Sequence, residues 1–238
     1  MTRAHHHRKG GDGDDRGRFT HLTFDCYGTL IDWECGILSC VRPVLDRHGV
    51  SADDATVVRL YAEYEAGQEA GDYKLYRDVL RGVMAGIASR LGFTPTEADL
   101  DALPNPVGRW QPFPDPAEAL RKLKTRYKLA VLSNVDDALF AQTAGLLGVE
   151  FDEVITSEQV GSYKPSRRNF RAALGRLGVT QEQVLHVAQS IYHDHVPARG
   201  LGIATVWVSR ESVCAETGVA PPATASPDVM VPDLASLV

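Results

Sequence analysis

LTFDCYGTLIDWE, residues 22–34, ends an apolar run in a single carboxylate, Asp25, and follows it with the turn-forming Gly28 and Thr29. A run this short and apolar reads as a strand buried on both faces, and an acid at its end is expensive unless it is paired or used. The rest of the chain supplies a place for it. Four further apolar runs, KLAVLSN, FDEVITS, VLHVAQ and IATVWVS, alternate with helix-patterned segments at 115–125, 136–147, 166–177 and 194–200. Strand-helix-strand repetition predicts right-handed crossovers and an α/β fold, a Rossmann-like doubly wound parallel sheet.

The gap between the first run and the second is much longer than the later gaps, which implies an insertion. Within it, DDATVVRLYAEYEAG and YKLYRDVLRGVMAGIASRLG place apolar residues every three to four positions, as amphipathic helices do. The proline-rich LPNPVGRWQPFPDP reads as the return linker. The expected division is a tail at 1–18, a Rossmann-like core at 19–37 and 112–238, and a helical cap at 38–111. The tail is polar and Gly-rich, so it is expected to be flexible, and its His5–His7 triplet is not read as a site.

Composition narrows the function. With 44% hydrophobic and 24% charged residues, no apolar run long enough to span a bilayer and a formal charge of −6, the chain is expected to bind neither membrane nor nucleic acid, but a small molecule. Cys26, Cys35, Cys40 and Cys214 show no CxxC spacing, and no secretory segment precedes them. Reduced thiols and a cytoplasmic location are therefore expected, without structural zinc.

In open parallel sheets, ligands sit beyond the carboxyl ends of the strands. Asp25, Ser133 with Asn134, Lys164, and the stretch from Gln189 to Asp194 all fall there. FDCYGTL, LSN, YKPS and AQSIYHD, in that order around a helical insertion, resemble the haloacid dehalogenase superfamily and its L-2-haloacid dehalogenase (type II) branch. The resemblance runs from Phe19 to about Ser209.

It implies that Asp25 is a nucleophile forming a covalent ester, with Lys164 keeping it ionised and Asp194 orienting the amine. Ser133 and Asn134, with Cys26, Tyr27 and Thr29, would hold a substrate carboxylate, and Arg59 of the cap would receive a halide. Superfamily phosphatases carry a second Asp two residues after the nucleophile as acid/base; this chain has Tyr27, as type II dehalogenases do, because halide leaves without a proton. Tyr61, Tyr64, Tyr73, Tyr76 and Trp110 are candidates for the cap lining, against ordinary packing between helices.

Gln189, Ile191 and Phe170 depart from the branch, which has Ser, Asn and Tyr at the aligned positions, so the contacts that place the hydrolytic water are expected to differ. Gln189 and His193 are candidates for that role; His193 and His195 alternate around Asp194, and both side chains could instead point away. No metal is expected to be required, with weak Mg²⁺ binding left open, because Gln189 replaces one of the hard oxygen acids that hold it in phosphatases. The expected activity is conversion of a small 2-halo acid to the 2-hydroxy acid. The alternatives are a Mg²⁺-dependent phosphatase, a hydrolase of C–N or C–O bonds in small carboxylates, or a ligand-binding homologue without turnover. An apolar cap helix could support a homodimer.

Overall fold

The computed structural model describes residues 17–210 and 223–238. Six strands, β1 (His21–Phe24), β2 (Lys128–Ser133), β3 (Glu153–Thr156), β4 (Val184–Ala188), β5 (Ala204–Val208) and β6 (Val229–Val231), form one sheet. Its order is β3-β2-β1-β4-β5-β6, and every pairing is parallel. The doubly wound expectation holds, and all five apolar runs are strands. β6 is an additional edge strand of three residues, two of them exposed, too short to leave a pattern in the sequence.

The order reverses direction between β1 and β4, so a crevice opens beyond their carboxyl ends. Phe24 pairs with Val131 on one side and Val187 on the other, which fixes Asp25 at the lip of that crevice. The Asp25 N–H donates to Val187 O (3.1 Å).

Between β1 and β2 lie α1 (Trp33–Arg47), α2 (Asp54–Glu69), α3 (Tyr76–Leu91) and the single turn α4 (Glu97–Leu100). The helical insertion thus starts at Trp33, five residues before the expected boundary, because Asp32 caps α1 through the Cys35 N–H. Asp53 caps α2 in the same way through Thr56. One apolar cluster runs from Leu22 and Phe24 of the sheet through Ile37 and Val41 of α1 to Val57, Val79 and Met84, joining insertion and sheet without a break. The remaining helices are α5 (Pro116–Lys124), α6 (Asp137–Leu147), α7 (Ser157–Val160), α8 (Arg167–Leu177) and α9 (Val196–Arg199). In place of one helix at 194–200, a π-helical turn at Ile191–His195 leads into α9.

No helix among the described residues is long and apolar enough to cross a membrane. The expectation of reduced thiols needs correction. Cys26 and Cys40 are free, but Cys35 is disulfide-bonded. Residues 1–16, with His5–His7, and Cys214 lie outside the described residues.

Candidate active site

Asp25 leaves β1 buried, with its side chain 10% exposed, and each of its oxygens is held. Lys164 Nζ donates to Oδ1 (2.8 Å), and the Thr29 hydroxyl donates to Oδ2 (2.7 Å). Thr29 is fixed in turn by the Gln189 N–H, which donates to its Oγ1 (2.9 Å). The turn that brings Thr29 back onto Asp25 requires Gly28, whose φ is +91°. A Cβ there would also stand 3.0 Å from the Trp33 indole nitrogen.

Lys164 is 2% exposed. Its ammonium has three protons and three acceptors: Asp25 Oδ1, Asp194 Oδ1 (2.7 Å) and Leu132 O (3.0 Å). Its main chain is gripped by Asn134, whose Oδ1 accepts from the Lys164 N–H (2.7 Å) while Nδ2 donates to Lys164 O (3.1 Å). Asn134 therefore positions Lys164, although it also lines the cavity.

Asp194 is fully buried, and His186 of β4 donates to the same oxygen that receives Lys164 (Nε2 to Oδ1, 2.9 Å). His186 Nδ1 lies 2.8 Å from Thr23 Oγ1, so a polar chain runs from Thr23 through His186, Asp194 and Lys164 to Asp25. Phe170, where the resemblance led to expecting Tyr, packs edge-on against the His186 ring. His186 is thus the polar neighbour of Asp194, and the sequence reading did not single it out.

Burial pushes the Asp25 carboxyl up, against the opposing pull of Lys164. Burial acts the same way on Asp194, but Lys164 and His186 outweigh it and hold that carboxyl well below the usual range. Burial alone would lower Lys164; the two carboxylates raise it, so the amine stays charged. The geometry is that of a carboxylate kept available by a fixed cation whose charge is shared with a second, firmly ionised acid.

A cavity of about 70 Å³ opens onto Asp25. Tyr27, Trp33, Tyr76, Trp110, Ser133 and Asn134 line it, together with Lys164, Gln189, Ser190, His193 and Asp194. Three residues from the inner face of α2, Ala62, Glu65 and Glu69, complete the wall. The Tyr27 hydroxyl bonds with Thr143 Oγ1 (2.8 Å), and burial raises its pKa far above the ordinary phenol value. The Ser133 hydroxyl is buried and has no hydrogen-bond partner. Burial lowers His193 to about 4, so its ring is neutral near pH 7, with Nδ1 3.1 Å from Ser190 Oγ. His195 turns away and its Nε2 donates to Ala188 O (3.0 Å).

Several expected site residues lie elsewhere. Arg59 is on the outer face of α2, half exposed, paired with Glu63 one turn on, and cannot receive a leaving group from the cavity. Cys26 alternates away from Asp25 into the apolar core. Thr29 is fully buried and touches Asp25 rather than the cavity. Ile191 does not reach the wall either. Of the aromatic candidates, Tyr76 and Trp110 line the cavity; Tyr61 sits behind Tyr76 (hydroxyls 2.9 Å apart), Tyr64 packs on Gly86, and Tyr73 packs on Tyr163.

The donor set does not fit a resident Mg²⁺. An ammonium already bridges Asp25 and Asp194, Gln189 is neutral, and of the four oxygens of these two acids only Asp194 Oδ2 lacks a partner, whereas the ion prefers several hard oxygens. Among the described residues, no group of three or more His, Cys, Asp or Glu side chains is placed to hold a metal.

Comparison with known proteins agrees with this architecture. The profile of the haloacid dehalogenase-like hydrolases matches residues 19–194. The chain is 32% identical to an (S)-2-haloacid dehalogenase of Pseudomonas sp. (strain YL), over 84% of this chain and 87% of that one. It is 35% identical to a glyceraldehyde 3-phosphate phosphatase of Methanothermobacter thermautotrophicus, but over 44% of this chain and only 48% of that relative. The L-2-haloacid dehalogenase of Xanthobacter autotrophicus with chloropropionic acid covalently bound superposes with a TM-score of 0.77, at 24% identity, over 92% of this chain and 96% of that one. The polar chain from Thr23 to Asp25 stands at the strand ends inside the matched region, and the protein belongs to the haloacid dehalogenase-like hydrolase family.

Proposed function

We propose that this hydrolase attacks C2 of a small 2-substituted carboxylic acid with the Asp25 carboxylate, displaces halide and forms an aspartyl ester. Water then adds to the aspartyl carbonyl carbon and the carbonyl C–O bond to the substrate breaks. The 2-hydroxy acid leaves with C2 inverted, and Asp25 is regenerated. Lys164 orients Asp25, and the helical cap excludes bulk water.

The observation that carries this reading is Tyr27. Its hydroxyl is partly buried, engaged with Thr143 and held protonated, at the place where a phosphatase of the superfamily needs a carboxylic acid. A leaving group must depart from this site without a proton from that position, as halide does. The covalently bound chloropropionic acid in the Xanthobacter enzyme lends support from a relative of the same fold.

The test is a single turnover in ¹⁸O-water with 2-chloropropionate, following halide release and the intact mass of wild type and Asp25→Asn. The reading expects halide release that depends on Asp25, and label entering Asp25 before it enters the product. Halide release undiminished in Asp25→Asn, or label passing directly to the product, would overturn it.

A further inference from the structure

The charge inventory of the cavity is unusual for a site that receives an anion. Among the described residues, four carboxyl groups line it, Asp25, Asp194, Glu65 and Glu69, and Lys164 is the sole Lys or Arg on the wall. The three Lys164 protons are all committed, to Asp25, Asp194 and Leu132 O. The Asn134 amide is engaged with the Lys164 main chain. On the insertion side, then, a second anion would meet acids and no free cation.

The two acids themselves have spare capacity. The Tyr61 and Tyr76 hydroxyls both donate to Glu65 Oε1, which leaves Oε2 without either of them. Glu69 has only long contacts: Asn134 Nδ2 at 3.4 Å from each oxygen, and His193 Nε2 at 4.0 Å. Both carboxyls are pushed up by burial, Glu65 to about 7, which marks them as underprovided with partners. Independently of these acids, the buried Ser133 hydroxyl on the same cavity has no partner at all. Buried polar groups left in this state are the ones a bound ligand completes.

We propose that Glu65 and Glu69 are specificity determinants that select a substrate bearing a hydrogen-bond donor, an ammonium or a hydroxyl, on the part that faces the insertion. This rests on the reading of the cavity as the substrate site of the proposed hydrolase. It narrows the substrate class to small amino- or hydroxy-bearing acids. Ser133 serves the polar end nearer Asp25, and α2 reads the other end. The i, i+4 spacing of Glu65 and Glu69 places both carboxyls on one helix face.

The test uses three unreactive ligands of nearly equal size: propionate, 3-hydroxypropionate and 3-aminopropionate. Their binding to wild type, Glu65→Gln and Glu69→Gln is measured by calorimetry at pH 7.5. The expected result is that 3-aminopropionate binds wild type at least about tenfold more tightly than propionate, with 3-hydroxypropionate between them. The gap should shrink in both variants. Propionate binding as tightly as the others, no binding by any of the three, or a gap that persists in both variants would overturn the proposal. The wild-type comparison needs no variant to fold. Ester formation on Asp25 from 2-chloropropionate is followed separately, so a missing ester with the gap present removes the dehalogenation chemistry and leaves the specificity standing.

Discussion

Asp136, at the start of α6, caps a helix that is not its own: its Oδ1 accepts from the Tyr76 N–H (2.6 Å) and its Oδ2 from the Arg77 N–H (3.0 Å) at the first turn of α3. The residue preceding α3, Leu75, has no side chain able to cap it. A carboxylate from the sheet-side layer thus satisfies the amino terminus of an insertion helix, and Tyr76, which lines the cavity, is fixed by the loop that follows Ser133 at the end of β2 and carries Asn134.

Asp136→Ala should therefore destabilise the protein by about 1–2 kcal/mol, the range for losing a helix cap, because two N–H groups lose their acceptor in a buried place. Asp53→Ala, which removes an exposed cap from α2, should cost less. Urea unfolding midpoints of the two variants check this, and equal shifts would show that the cross-layer cap has no special weight.

Removing Lys164 leaves Asp25 and Asp194 buried without their shared cation. Lys164→Met should lower stability by roughly 3–5 kcal/mol, the range for breaking a buried ion pair from one side. Adding Asp194→Asn to it should recover part of that loss, since one orphaned charge disappears. A double variant no more stable than Lys164→Met in chemical denaturation would mean that the three groups do not act as one electrostatic unit.

The sheet was legible because parallel strands buried on both faces leave continuous apolar runs, and the insertion because it interrupts their spacing. The register of α2 was equally available in the sequence. Val57, Val58, Tyr61 and Ala62 form the buried stripe, and carrying it forward by three and four positions reaches Glu65 and Glu69, while Arg59 and Glu63 fall on the outer face. A polar residue inside an apolar strand, His186 in VLHVA, was the signal for the group beside Asp194. The Cys35 disulfide left no short-spacing signature of the kind that marks a pairing in sequence.

Burial raises Asp25 above the ordinary carboxylate range, and attack requires its ionised form. The rate of ester formation should therefore fall as pH drops through that raised pKa, placing the acid limb higher than an exposed aspartate would. Thr29→Val deletes a hydrogen bond that favours the charged form, so its limb should move to higher pH. Quench-flow mass measurements of the ester between pH 4 and 8 decide this, and a limb in Thr29→Val at or below that of wild type would contradict the assigned role.

Glu65 bears on stability rather than on rate. Its carboxyl is raised by burial from 4.5 to about 7, even though the hydroxyls of Tyr76 and Tyr61 pull it down. Between those two values the folded protein binds more protons at this group than the unfolded chain does, so stability falls as pH rises through the window and levels off above about 7. A shift of this size corresponds to a loss on the order of 3 kcal/mol, an upper figure because Glu69 titrates alongside it. Glu65→Gln cannot ionise and should remove the slope between pH 5 and 7 that belongs to this residue. It should also be more stable than wild type at pH 8, provided the amide keeps the two tyrosine contacts. Guanidinium unfolding at half-unit pH steps provides the readout. Parallel profiles for wild type and variant would show that Glu65 enters the folded state already ionised, and that some other group supplies its missing counter-charge.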